Sequence, residues 1–435
     1  MNLHRLLQSR AASGNPVRVG LIGAGKFGSM FLAQIPTTNG LEVAAIADLD
    51  VPRARAACKT VGWDDARTEK TRFTDDATSL IKDPSVEVVI EATGHPAAGL
   101  AHAECALREG KHIIMVNVEA DVLAGPLMAA KFNAAGLVYS MAYGDQPALT
   151  SELVDWARAT GFEVIAAGKG TKYLPEYHNV TPDDVWQHYG LTAGQAAEAG
   201  MNSQMFNSFL DGTKSAIEMS AIANACDLAA PKDGLAFPPC STDDLQNLLI
   251  PRSDGGLLDA AGQVEVISSL NRDGTAVQND LRWGVYVVLK APNDYAAVCF
   301  AQYGLPTDST GQYAAMYKPF HLIGLELGIS VLSAALRGEP TGQSRAFNAD
   351  AVACTKRGLA VGDTLDGEGG YTVWGKLMSA ADSLRIGALP IGLAGGIKVT
   401  RPVKQGTVLR WDDVAVDPND NTLRLRREME AMFKP

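Results

Sequence analysis

The sequence predicts an α/β protein: a doubly wound parallel sheet, then an α+β domain, then a small β-rich C-terminal domain. Three observations carry this reading. Short apolar, β-branched runs alternate with helix-length stretches over the first third of the chain. A glycine-rich hexapeptide, Gly23-Ala-Gly25-Lys-Phe-Gly28, directly follows the first of those runs. After about residue 346 the chain becomes Gly-rich, with short strand-like runs.

The elements follow in order. A short amphipathic stretch (Leu3, Leu6, Leu7) ends at the breaker Gly14-Asn-Pro16, and Val17–Ile22 has the character of a buried parallel strand. Similar runs lie at Leu41–Ala47, Val86–Ile90, His112–Val116 and Leu137–Ser140, with helices expected at Phe27–Ile35, Pro96–Glu109 and Pro126–Ala135. The middle part is expected to hold strands Phe162–Ala167 and Trp283–Lys290 and a helical stretch, Ser203–Cys226. The last part offers Asp350–Cys354, Leu389–Leu393, Val399–Pro402 and Lys404–Val414, then a charged helix, Leu423–Phe433. Domain boundaries are expected at 1–146, 147–345 and 346–435.

Composition narrows the function classes. The chain has 435 residues, of which 46% are hydrophobic, so it is long enough for several packed cores and is not a disordered chain. No apolar run approaches the ~20 residues of a membrane-spanning helix. The N-terminus has no apolar core of signal-peptide length, so a cytoplasmic protein is expected. A net charge of −11 without a concentrated basic face argues against nucleic acid as a partner. Cys58, Cys105, Cys226, Cys240, Cys299 and Cys354 are dispersed and form no Cys-x-x-Cys pair, in keeping with reduced thiols. An enzyme acting on a small molecule is the default class, with a homo-oligomer as its expected assembly.

The hexapeptide gains meaning from its strand–loop–helix context. Gly23 allows the tight turn, Gly25 lets backbone approach a pyrophosphate, and Gly28 lets helix pack on strand. A diphosphate would rest on the N–H groups of the helix start, those of Lys26 and Phe27 among them. Asp48, at the end of the second strand, lies where a carboxylate accepts hydrogen bonds from the adenosine ribose and repels a 2′-phosphate. NAD is therefore favoured over NADP, although Arg53 and Arg55 leave a 2′-phosphate partner in place. Thr93 and Gly94, just after the Val86–Ile90 run, are expected beneath the nicotinamide half. Asn117 and Glu119, at the end of the next strand, are placed for nicotinamide or substrate, or for a turn and helix cap.

Other residues could carry chemistry. Gly168-Lys-Gly-Thr-Lys172 places Lys169 and Lys172 on what looks like a glycine-rich turn, either a solvated loop or a clamp for an anion or a developing oxyanion. Asn207, Asp211, Lys214 and Glu218 have helical spacing, which suits a solvated face or a polar pocket wall. Asp145 fits a turn cap or a substrate ligand, and Lys318 and His321 fit core packing or a substrate site. No metal-ligand spacing appears; a divalent ion near Glu119, Asp121 and Asp145 is conceivable but not predicted.

Glu91-Ala-Thr-Gly, Asn117-Val-Glu-Ala-Asp, Gly144-Asp-Gln-Pro, Gly168-Lys-Gly and Asp211-Gly-Thr-Lys-Ser-Ala-Ile-Glu-Met resemble segments of a known family. So do Ala221-Ile-Ala-Asn, Tyr317-Lys-Pro-Phe-His-Leu and Lys404–Val414. Together the chain resembles the deoxyxylulose phosphate reductoisomerase-like (DRL) family, itself similar to homoserine dehydrogenases. The resemblance implies a Rossmann NAD(P) domain, a catalytic domain and a C-terminal module like the SAF fold. It implies Lys169, Lys172 and Lys214 as groups stabilising oxygen charge, with Glu218 or Glu119 moving protons. Asn117, Asp145, Asn224, Lys318 and His321 are the implied substrate ligands. The implied reaction converts deoxyxylulose phosphate to methylerythritol phosphate with NADPH. The acids of Asp48-Leu-Asp50 depart from NADPH-using members, and so favour an NAD-linked dehydrogenase of a homoserine-like or sugar-acid alcohol. A cofactor- and carbohydrate-binding sensor without turnover is the alternative of another class.

Overall fold

The β-branched residues of the first apolar run form a fully paired inner strand, because burial on both faces rewards side chains that pack on a pleated surface. The computed structural model describes residues 2–434. In chain order the first elements are α1 (Leu3–Ala12), β1 (Val17–Ile22), α2 (Lys26–Gln34), β2 (Leu41–Ala47), α3 (Val51–Thr60), α4 (Asp65–Lys70), β3 (Arg72–Thr74), α5 (Ala77–Ile81), β4 (Val88–Glu91), α6 (Pro96–Arg108), β5 (His112–Met115), α7 (Val118–Ala134), β6 (Tyr139–Met141) and α8 (Gln146–Ala159). Then come β7 (Glu163–Thr171), α9 (Val185–Tyr189), α10 (Ala193–Glu198), α11 (Ser203–Leu210), α12 (Thr213–Cys226), α13 (Leu245–Leu248), β8 (Gln263–Ser268), β9 (Val285–Lys290), α14 (Asp294–Gln302), β10 (Tyr313–Lys318) and α15 (Gly328–Arg337). The last are β11 (Ala349–Thr355), β12 (Thr364–Asp366), β13 (Val373–Ser379), α16 (Ala380–Ile386), β14 (Gly395–Val399), β15 (Val414–Ala415) and α17 (Asn421–Met432).

Two units emerge. The first comprises 1–152, 321–345 and 425–432; the second comprises 153–320, 346–424 and 433–435. The contacts thus draw the division differently from the expected 1–146, 147–345 and 346–435. Residues 321–345 return to the first unit because Leu327, Val331 and Leu332 of the α15 region bury their side chains among Leu21, Ile90 and Ile114 of the sheet. The end of α17 joins the same unit, where buried Arg426 pairs with Glu430 at 3.0 Å and donates to the Leu123 carbonyl.

The first unit is a six-stranded, all-parallel sheet in the order β3-β2-β1-β4-β5-β6. Strand order reverses between β1 and β4, the point at which such sheets bind ligands. The helix expected at Pro126–Ala135 is the second half of α7, which begins at Val118 and breaks its helical geometry at Ala124, two residues before Pro126.

The second unit holds a four-stranded mixed sheet, β10-β9-β7-β8, in which β7 and β8 are a parallel pair and β9 runs antiparallel to its neighbours β7 and β10. Its C-terminal part is β-rich, with the pair β11–β13 and the sheet β12-β14-β15. Leu389–Leu393, expected as a strand, is instead a turn with a 3-10 helix from Ile391 to Leu393, and the backbone there is met by only one isolated bridge, Val352 to Pro390.

Burial of acids gives the fold a pH dependence. In β8, burial pushes Glu265 up to about 7 against the N–H groups of Val266, Ala236 and Phe237, which pull the other way. The folded state therefore holds a proton that the unfolded chain, with a glutamate pKa near ~4.3, has released. Stability from this group is complete below that value and is lost as the pH rises through 7, by roughly 3 kcal/mol. Replacing Glu265 by Gln keeps an acceptor for the three N–H groups and removes the titration. The stability difference between wild type and variant, from urea midpoints, should therefore shift towards the variant between pH 5 and 8. A difference independent of pH would contradict the assignment. The comparison is needed because buried His178, held down to about 4, has the opposite slope below neutrality.

Candidate functional site

The glycine loop of the first unit has the geometry of a dinucleotide cradle. Gly23 adopts φ +93°, and a Cβ there would lie 2.7 Å from the Ala92 carbonyl oxygen. At Gly28 a Cβ would meet the Gly23 oxygen at 2.2 Å, so only glycine lets α2 pack this close. Gly25, by contrast, is exposed and has nothing within 4 Å of a Cβ position. It caps α2 without a side-chain hydrogen bond, leaving an open notch beside the N–H groups at Lys26 and Phe27.

Asp48 closes one side of that loop. Its buried carboxylate accepts from the Ala24 N–H at 2.9 Å and from the Asp50 N–H at 2.9 Å. It also pairs with the Arg53 guanidinium at 2.9 Å. A carboxylate has about four lone-pair positions, so one remains for an incoming hydroxyl. The sequence set Asp48 and Arg53 as competitors over a 2′-phosphate; the structure joins them as partners, with the arginine largely exposed.

At the ends of β4 and β5 a polar network forms. Glu91 is completely buried, and its Oε1 accepts from Thr93 Oγ1 at 2.5 Å and from His102 Nδ1 at 3.2 Å. Thr93 and Gly94 are exposed beside it. Asn117 spends its amide on structure, donating to the His95 carbonyl at 3.0 Å and capping α7 by accepting from Ala120 N–H at 3.1 Å. Of its two expected roles the geometry shows the cap. Glu119 is half-buried in the first turn of α7. Glu91 was legible only as a carboxylate ending a buried strand.

Asp145 is buried in the turn before α8, where its Oδ1 accepts from Gln146 N–H at 2.9 Å. The segment beginning at His321 crosses that turn: a Cβ on Gly144 would lie 2.9 Å from the Leu322 oxygen. The same segment crosses the loop helix, since a Cβ on Gly324 would lie 2.7 Å from the Phe27 oxygen. Residues 322–324 thereby run beside both the Asp145 turn and α2, and His321 directly precedes them, 176 positions after Asp145 and beyond the reach of local pattern. Lys318, at the end of β10 in the second unit, holds its ammonium 5.4 Å above the Phe320 ring.

In the second unit, Lys169 and Glu218 meet. Both side chains are buried, and the Lys169 ammonium donates to Glu218 Oε2. Lys169 is not on a turn: β7 runs through it to Thr171. Gly168 and Gly170 serve close packing, because a Cβ on either would lie 1.9 Å from a neighbouring carbonyl oxygen, of Glu265 and Leu281 respectively. Lys172 does not join Lys169 in a clamp; its ammonium donates to the His188 carbonyl, and burial lowers its pKa.

The expected single helical face is broken at Asp211-Gly212, where Gly212 takes φ +92° between α11 and α12. Asn207 donates to the carbonyls of Val180 and Gly369 at 2.9 and 2.8 Å. Asp211 pairs with Lys356 at 2.7 Å, and both are buried. Lys214 is half-buried in the first turn of α12. Asn224, expected as a substrate ligand, instead accepts from Asn348 and Ala349 N–H at 2.8 and 3.0 Å and donates to the Ala349 carbonyl at 3.1 Å, fixing the start of β11. Lys356 gave no local signal in the sequence.

Among the described residues no group of three or more His, Cys, Asp or Glu is arranged to hold a metal ion, Glu119, Asp121 and Asp145 included. Nor is any helix among them long and apolar enough to cross a membrane. None of the six cysteines is in a disulfide bond.

Residues 17–115 match the family model described as "Oxidoreductase family, NAD-binding Rossmann fold". The parallel sheet of the first unit is thus similar in fold to NAD-binding oxidoreductase domains. Residues 144–327 match the family model described as "Oxidoreductase DRL, catalytic domain". Among curated proteins, inositol 2-dehydrogenase 2 of Paenarthrobacter aurescens (strain TC1) is 38% identical over 79 residues, 18% of this chain and 21% of that protein. Inositol 2-dehydrogenase of Acidothermus cellulolyticus is 38% identical over 86 residues, 20% of this chain and 23% of that protein. The matched stretch thus spans about a fifth of each relative's length. Among solved structures, myo-inositol dehydrogenase from Lactobacillus casei with NAD(H) and myo-inositol aligns at TM-score 0.37 and 18% identity, covering 63% of this chain and 71% of that one. The WlbA dehydrogenase from Bordetella pertussis with NADH and UDP-GlcNAcA aligns at TM-score 0.28 and 18% identity, over 37% of this chain and 49% of that one.

Proposed function

We propose that the chain uses NAD in preference to NADP to interconvert a CH–OH group and a carbonyl in a small polyhydroxylated or phosphorylated compound. The observation that carries this reading is Asp48, a buried carboxylate held by the glycine loop itself. Gly23, Gly25 and Gly28 with the start of α2 would hold the dinucleotide diphosphate, and Asp48 the adenosine ribose. When bound, the nicotinamide supplies a hydride acceptor or donor. Lys169 donates a hydrogen bond to the substrate oxygen on which charge develops, and Glu218 orients that ammonium and accepts its proton in the reverse sense. Lys214, half-buried one turn before Glu218 on α12, binds an anionic or hydroxyl group of the substrate. Thr93 and Gly94 support the nicotinamide half.

The curated relatives' activity as inositol dehydrogenases supports simple dehydrogenation of a polyol. The DRL-type catalytic domain supports a second reading, in which hydride transfer is coupled to rearrangement of the carbon skeleton. Product analysis separates the two: polyols and sugar acids are oxidised with NAD under the first, whereas deoxyxylulose phosphate is reduced to a branched product under the second.

Asp48→Ser tests the cofactor assignment. Loss of a charge-assisted hydrogen bond is expected to lower kcat/KM for NAD by about 10- to 100-fold. Arg53, released from its partner, should raise kcat/KM for NADP. A wild-type enzyme that prefers NADP would overturn the assignment.

A further inference from the structure

A cavity of about 460 Å³ lies wholly within the second unit. It opens on the face of α12 away from the Lys169 pair. Gly212 and Ala216 line it and are one turn apart, whereas Glu218 is two residues further on and so faces the other way. The helix here separates two places: β7 with its lysine on one side, the β11–β13 pair on the other.

The walls are aromatic. His178 stacks on Trp374 at 3.8 Å between centroids, and Phe237 stands edge-on to His178 at 6.1 Å. Burial keeps the imidazole neutral near pH 7. A carbonyl can only accept, so Nδ1–H donates to the Asp211 oxygen at 2.7 Å and Nε2 accepts from the Tyr173 hydroxyl at 2.9 Å. The ring is a fixed wall and has no spare nitrogen. Phe237 itself sits at φ +49°, a conformation that costs a bulky residue free energy. It is held there by Glu265, which accepts its N–H at 3.3 Å, and by Arg272, which donates to its carbonyl at 2.9 Å. Strain of this kind, imposed from outside, is characteristic of surfaces shaped for a ligand.

The charge of the cavity comes from Lys376. Its stem passes Gly234, where a Cβ would stand 3.1 Å from the lysine Cε. Among the described residues its ammonium has no hydrogen bond or ion pair. Asp233, the other charged lining residue, is exposed, and its field is screened by solvent.

We propose that this cavity is a second ligand site, which takes a small organic anion: a carboxylate or phosphate on a flat, apolar body. The anion sits on Lys376 and the body lies against Trp374 and Phe237. A volume of this order suits a compact metabolite. Nothing in this assignment depends on the reaction proposed above.

The test is calorimetric titration of the full-length protein with benzoate, phenyl phosphate and neutral benzamide, each with saturating NAD present. Saturable binding of at least one anion at millimolar or tighter affinity is expected, and which of the two binds tells carboxylate from phosphate. Lys376→Met, checked for folding by circular dichroism, should weaken that binding about tenfold or more. Lys169→Met should leave it unchanged. No binding of either anion at about 10 mM, equal binding of benzamide, or unchanged affinity in Lys376→Met would overturn the proposal.

Discussion

Lys169→Met is expected to lower kcat by about 10²- to 10⁴-fold, the range associated with a positioned acid–base group. It should also destabilise the fold by up to about 3–5 kcal/mol, because Glu218 loses the buried ammonium it pairs with. These effects can be separated. In the double variant Lys169→Met, Glu218→Leu both charges are gone, and an apolar pair of similar volume is often neutral or stabilising. Stability by urea titration should therefore recover while activity stays lost. Near wild-type turnover in either variant would remove Lys169 and Glu218 from the chemistry and leave them a structural pair.

Lys356→Met is expected to be the most damaging change far from the chemistry, also at about 3–5 kcal/mol. The Lys356 ammonium forms an ion pair with Asp211 Oδ2 at 2.7 Å and donates to the Val180 and Gly370 carbonyls, each at 2.8 Å. Removing it strands a fully buried carboxylate and two carbonyls. Here a matching apolar replacement of Asp211 should not restore stability, because Asp211 Oδ1 also accepts the Thr213 N–H at the start of α12. Urea midpoints of the single and double variants decide this; full recovery in the double variant would show that only charge balance matters at this position.

The two pairs show how far local pattern reaches. Strand β1, the glycine loop and Asp48 were legible because each obeys a short-range rule: a buried apolar run, glycines where a Cβ has no room or a ligand needs it, and an acid at the next strand end. The helical spacing of Asn207, Asp211, Lys214 and Glu218 obeyed such a rule too, yet it misled. Left-handed Gly212 ends one helix and starts another, so the four side chains serve different neighbours. The Gly168-Lys-Gly segment misled similarly, since glycine in a strand and glycine in a turn look alike in sequence. Only the neighbouring carbonyls of Glu265 and Leu281 show which is present.

What the sequence by itself determined was the α/β class, the position of the glycine loop and the acid beside it, because these follow from steric and hydrophobic preferences of residues close together in the chain. What only the tertiary structure decided was partnership. Lys169 found Glu218 across 49 residues and Lys356 found Asp211 across 145, Asp48 took Arg53, and residues 321–345 joined the first unit. A buried charge must be neutralised by whatever group the packing brings within reach, and that group is selected by the whole fold.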